Sequence, residues 1–134
     1  MSMNKPSLIV TDTTRPFWEG IAAGKLMLQY DPRVGRYQFY PRANSLWSEG
    51  RLEWRQVSGD GVLMAFTLTH FPAAGFTDKL PYLQGVIRLD EGPRIFANLT
   101  GASLEQLRVG QRMRIVFGER GDVPFQFCPI ESSN

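Results

Sequence analysis

From Gly61 to Ile130 the chain reads as five short strands punctuated by turn residues, with room for one helical turn between them. Gly61–Phe71 (GVLMAFTLTHF) carries the β-branched and aromatic residues of a long strand, and Tyr82–Leu89 is a second. Asp90-Glu91-Gly92-Pro93 has hairpin composition and leads into Arg94–Leu99. Arg112–Glu119 sets Met113, Ile115 and Phe117 against Arg112, Arg114 and Val116, and Pro124–Ile130 is a last strand. Between the third and fourth strands, Ser103 stands as N-cap of the turn Leu104–Leu107, which Gly110 ends. Five strands with a helical element in that place is the order of an OB barrel. A plain β-sandwich is the alternative, but so few strands and the single helical turn favour the barrel.

The first half has a different texture. Residues 1–12 show no periodicity and are expected to form a flexible arm. Thr13-Thr14-Arg15-Pro16 is a helix entry, because proline suits the first turn, and Phe17, Ile21 and Gly24 follow at helical spacing. The spacing predicts one short helix over Pro16–Gly24, too short to persist unless it docks. Lys25–Tyr30, Tyr37–Tyr40 and Leu52–Val57 are strand-like, with Asp31–Gly35 a turn and Pro41–Gly50 polar and irregular. The expected division is an arm over 1–12, a helix with hairpins over 13–57, and the barrel over 58–134.

Within those hairpins Asp31, Val34, Ser45 and Ser48 keep the rhythm x2, x10, x2. That is the spacing of a zinc ribbon, in which two tight turns each point two ligands at one ion. Valine cannot ligate, and serine hydroxyls are poor zinc ligands at neutral pH, so no metal is expected here. A structural zinc supplies much of such a module's folding energy. Burial of Tyr30, Tyr37, Phe39, Tyr40, Leu46, Trp47 and Trp54 is the expected replacement.

Several segments then align with one family. Pro16-Phe17-Trp18-Glu19-Gly20, Gly24-Lys25-Leu26, Gly35–Arg42 and Leu52-Glu53-Trp54 match it in the first half. Gly59-Asp60-Gly61, Thr67–Pro72 with Gly75-Phe76, Pro81-Tyr82, Leu89–Arg94 and Leu107–Gly110 match it in the second. In this order and spacing the chain resembles bacterial and archaeal proteins that join a rubredoxin-like zinc ribbon to an OB-fold and are described as acyl-CoA-associated. It departs from them at all four cysteine positions. The resemblance implies a non-catalytic accessory subunit of a thiolase-like, hydratase-like or aldolase enzyme in lipid metabolism. Such a subunit binds or channels CoA thioesters beside the partner's active site, with the helix and ribbon as docking elements.

The side-chain inventory agrees with a role short of catalysis. The chain has one His, His70, and one Cys, Cys128, and neither has an evident base or orienting partner in the sequence. Cys128 lies among aromatics and reads as a buried thiol, and the single cysteine rules out an intramolecular disulfide. The segment 72–82 is longer than a hairpin needs, and such loops often carry function. His70, Phe71, Phe76, Lys79 and Tyr82 are the candidate CoA-facing residues, while Phe17, Trp18 and Ile21 are the candidate docking residues. No resident cofactor is expected, only a CoA thioester as ligand. A single-stranded nucleic acid is the alternative ligand for an OB barrel. The net charge of +2, with 13 acidic residues against 15 basic ones, gives it little support. No apolar run approaches the ~18 residues of a membrane helix, and no leader is evident, so a cytoplasmic protein is expected.

Overall fold

The computed structural model describes residues 11–69, 82–120 and 123–130. Helix α1 (Arg15–Ala22) is followed by β1 (Leu26–Asp31), β2 (Arg36–Gln38) and β3 (Glu53–Val57), then by β4 (Asp60–Thr69), β5 (Tyr82–Leu89) and β6 (Arg94–Asn98). A single 3-10 turn at Leu104–Gln106 precedes β7 (Arg112–Arg120) and β8 (Val123–Pro129). The first three strands form an antiparallel sheet in the order β2-β1-β3, and the other five a curled antiparallel sheet in the order β6-β5-β4-β7-β8.

The second sheet is the expected OB-fold. Its first and fourth strands pair, β4 with β7, around Gly61↔Met113. Its third and fifth meet through a parallel bridge, Leu99↔Phe127, and the Thr100 amide donates to the Phe127 carbonyl at 2.9 Å. The expected helical turn lies between β6 and β7, where Ser103 and Gln106 form a reciprocal capping box. A bulge between Leu63 and Ala65 bends β4, which a strand of this length needs in order to curl.

Helix α1 ends two residues earlier than the spacing predicts. Gly24 takes the left-handed conformation (φ 75°), and the Lys25 amide donates to the Gly20 carbonyl at 2.8 Å, closing the end. Gly20 is required by packing, since a Cβ there would stand 2.5 Å from Met27 Cγ on β1. Asp31, expected in a turn, is the last residue of β1, and β2 stops at Gln38 rather than Tyr40. Phe39 instead leaves the strand to pack on Phe17, with ring centroids 5.6 Å apart.

One hydrophobic core spans both sheets. Phe17 and Ile21 from α1, Leu26 and Leu28 from β1, and Leu63, Ile87, Ile95, Met113 and Phe127 from the barrel belong to the same buried cluster. Phe17 is the junction. It is 1% exposed and meets Trp18, Phe39, Tyr40 and Phe125 within 4.8–6.1 Å. At Gly59 (φ 80°) the chain crosses from β3 to the barrel, and a Cβ there would lie 2.3 Å from Ile115 Cγ2, so only glycine fits.

Candidate functional site

The residues of the ribbon rhythm come together, but not as metal ligands. Asp31 has no solvent exposure, and its Oδ2 accepts from the Ser45 hydroxyl at 2.5 Å and the Ser48 hydroxyl at 2.6 Å. Its Oδ1 accepts the Arg33 amide at 2.9 Å, and the Val34 amide also donates to this carboxylate. The two serines pass the order on. Ser45 Oγ accepts the amides of Trp47 (3.0 Å) and Ser48 (3.2 Å), and Ser48 Oγ accepts that of Gly50 (3.0 Å). One carboxylate therefore pins both knuckles where a zinc ribbon has its ion. The Val34 side chain points away and is 42% exposed. The donor set does not fit zinc, for it offers one carboxylate, already saturated with hydrogen bonds, two hydroxyls and a valine. The Ser45 and Ser48 hydroxyls, helped by the Arg33 and Val34 amides, hold the Asp31 carboxyl below the usual aspartate range against the opposing effect of burial.

Two buried glutamines finish the second knuckle. Gln29 donates to the Arg42 carbonyl (2.7 Å) and accepts the Arg42 amide (2.8 Å), which mimics a strand bridge. Gln38 donates to Gln29 Oε1 (2.8 Å) and accepts the Leu46 amide (3.0 Å). The irregular segment 41–50 is thus tied to β1 and β2 by side chains rather than by a ladder. This corrects the expectation that aromatic burial replaces the metal. Tyr40 and Leu46 are 42% and 52% exposed, and the remaining aromatics of that set are only half-buried. Tyr30 and Tyr37 pair at 4.7 Å, with Arg55 over Tyr30 at 3.8 Å, and Arg36 lies over Trp47 at 4.4 Å. These contacts brace a surface; the polar hub occupies the metal's place.

Helix α1 presents less than its sequence promises. Phe17 and Ile21, expected to dock a partner, are buried in the core, so they hold the helix and do not present it. Trp18 is half-buried and lines an apolar groove of about 390 Å³ with Ile21, Ala22, Gly24, Phe117, Gly118 and Pro124. Its enclosed indole N–H finds no acceptor among the described residues. Of the expected CoA-facing residues, His70, Phe71, Phe76 and Lys79 lie outside the described residues. Tyr82 opens β5, its backbone paired with that of Thr69.

Two acidic residues outside the knuckle, Asp90 and Glu91, are engaged in structure. Asp90, in the β5–β6 turn, takes both Arg112 guanidinium nitrogens at 2.7 Å, and this hydrogen-bonded pair lowers its carboxyl from the ordinary value. Glu91 accepts the Ser58 amide at 3.0 Å. Among the described residues no three His, Cys, Asp or Glu side chains cluster as a metal site, and none of the helices is long and apolar enough to cross a membrane.

The molecule is therefore an OB barrel carrying a ribbon-like hairpin module whose knuckles are tied by a carboxylate. Residues 54–118 match the family model of the ChsH2 C-terminal OB-fold domain. The chain is 32% identical over 90 residues to a DUF35 domain-containing scaffold protein of Pyrococcus furiosus, covering 61% of this chain and 66% of that one. It is 27% identical over 105 residues to the 3-oxo-4,17-pregnadiene-20-carboxyl-CoA hydratase alpha subunit of Mycobacterium tuberculosis, covering 75% of this chain and 32% of that subunit. The matches span less than two thirds of these relatives' lengths. Among solved structures, the Ltp2-ChsH2(DUF35) aldolase superposes with a TM-score of 0.80 over 92% of this chain and 98% of that one, at 17% identity. That likeness is one of fold.

Proposed function

We propose that the chain is a non-catalytic accessory subunit that docks on a hydratase-like, thiolase-like or aldolase enzyme and helps hold its acyl-CoA thioester. The observation that carries this reading is the ribbon end. An isolated chain gains nothing by exposing Val34 and Leu46 on knuckles that an interior hydrogen-bond hub holds rigid, whereas an interface needs apolar tips on a fixed frame. The Trp18 groove offers a second apolar contact, lined from both α1 and the barrel. Relatives named as scaffold proteins and as a hydratase subunit support the same role.

Gentle isolation of the tagged chain from its native host, with mass spectrometry of retained proteins and small molecules, tests the proposal. A stoichiometric acyl-CoA enzyme, lost when Val34 and Leu46 are both changed to Ser, is the expected result. Retention of nucleic acid alone would overturn it in favour of the single-strand reading, for which steep salt dependence is the signature.

A further inference from the structure

The outer face of β5 and β6 carries a feature that the fold does not need. Arg88 and Arg94 stand directly opposite each other in the β5–β6 register, both exposed. Like charges placed so destabilise a strand pair. Neither guanidinium has a hydrogen bond or a contact ion pair among the described residues; Arg88 feels the charge of the nearby Asp90, but both oxygens of that carboxylate are held by Arg112. Two residues along β6 on the same face is Phe96, 59% exposed, with half-buried Val86 opposite it. Two residues further, Gln84 donates to Asn98 at 3.0 Å. The face thus presents in sequence two cations, an aromatic shelf and an amide pair, each about 7 Å from the next.

We infer that this face binds a phosphorylated nucleoside, the charged end of a CoA-type ligand: phosphate between Arg88 and Arg94, and the purine ring on Phe96. A phosphate turns the repulsive arginine pair into a fork of charge-assisted hydrogen bonds. An exposed aromatic flanked by cations suits a planar heterocycle, because any base offers a π-face and stacking contributes about 1–3 kcal/mol. A peptide carboxylate would use the arginines and leave Phe96 idle, and an apolar partner would strand the arginines. The inference rests on the CoA reading above and deepens it.

Titrating the full chain with adenosine bisphosphate, the nucleotide end of CoA, and separately with pantetheine tests the site, followed by amide NMR. Adenosine bisphosphate is expected to shift β5 and β6 amides. Arg88→Ser with Arg94→Ser should weaken its binding by about tenfold or more. Phe96→Ala should also weaken it and Phe96→Tyr should restore it, and no variant should lower the melting temperature, because all three side chains are exposed and loss of the arginine pair relieves a repulsion. Equal binding by these variants overturns the site, as does much tighter, steeply salt-dependent binding of oligoadenylate. CoA binding that survives the variants and is competed by pantetheine overturns this site while leaving the CoA reading intact. A native chain that takes adenosine bisphosphate at Phe96 but neither CoA nor pantetheine retains the nucleotide site and removes the CoA reading.

Discussion

Asp31 does the work of a metal ion with the opposite charge. A zinc ion draws thiolates inward; here a buried carboxylate draws hydroxyls and amides inward, so serine replaces cysteine on both sides of the second knuckle. Removing one arm, as in Ser45→Ala, should cost about 1 kcal/mol of stability in urea titration, since it also frees the Trp47 and Ser48 amides. Asp31→Asn should cost more, because an amide nitrogen cannot accept what an oxygen accepted. The carboxyl is held below its ordinary range, so the folded state binds the proton less readily than the unfolded chain does. Its contribution to stability is fully present above the unfolded value of about 4 and is lost as pH falls through the lower folded value. Asp90, lowered by Arg112, acts in the same direction. The urea midpoint should stay flat from neutrality to about pH 5 and fall below about pH 4. In Asp31→Asn that acid limb should be shallower, and an unchanged limb would refute the hub's role.

Helix α1 has only two turns and little intrinsic stability, so its presence reports docking. Phe17 carries that docking, with rings from the ribbon and from β8 around it. Phe17→Ala should cost about 3–5 kcal/mol and expose Trp18, visible as a red shift and a lower denaturant midpoint. The junction at Gly59 is equally intolerant. Gly59→Ala sets a Cβ against Ile115 on an unfavourable left-handed backbone, and a loss of about 1–3 kcal/mol is expected in thermal melts. The Arg112–Asp90 bridge is near half exposed on both sides and screened by solvent, so Arg112→Ala should barely move the urea midpoint at neutral pH.

The described residues are expected to unfold as one cooperative unit, since a single buried cluster runs from α1 through β1 into the barrel. Melting followed by tryptophan fluorescence and by far-UV circular dichroism should therefore coincide, and separated transitions would show that the ribbon unfolds alone. Function on the proposed reading lies on three exterior features: the apolar knuckle tips, the Trp18 groove and the β5–β6 face. Changing Val34 and Leu46 to Ser should abolish co-purification of the partner without lowering the melting temperature, because both side chains already face solvent.

Strand order, the helical turn before β7 and the ribbon rhythm were all legible in the residue order, because alternation, turn composition and spacing are local properties. That Asp31 would serve as a hub was within reach too. An aspartate at the first knuckle and two serines at the second are complementary acceptor and donors, but hydrophobic pattern reading gives polar pairs no weight. The rest needed three dimensions. Phe17 and Ile21 share an apolar helix with Trp18, and only the direction of docking separates the two that are buried from the half-buried Trp18. Arg88 and Arg94 are ordinary surface charges until the β5–β6 register sets them face to face beside Phe96. Registers and docking directions are settled by contacts between residues far apart in the chain, and no local pattern encodes those.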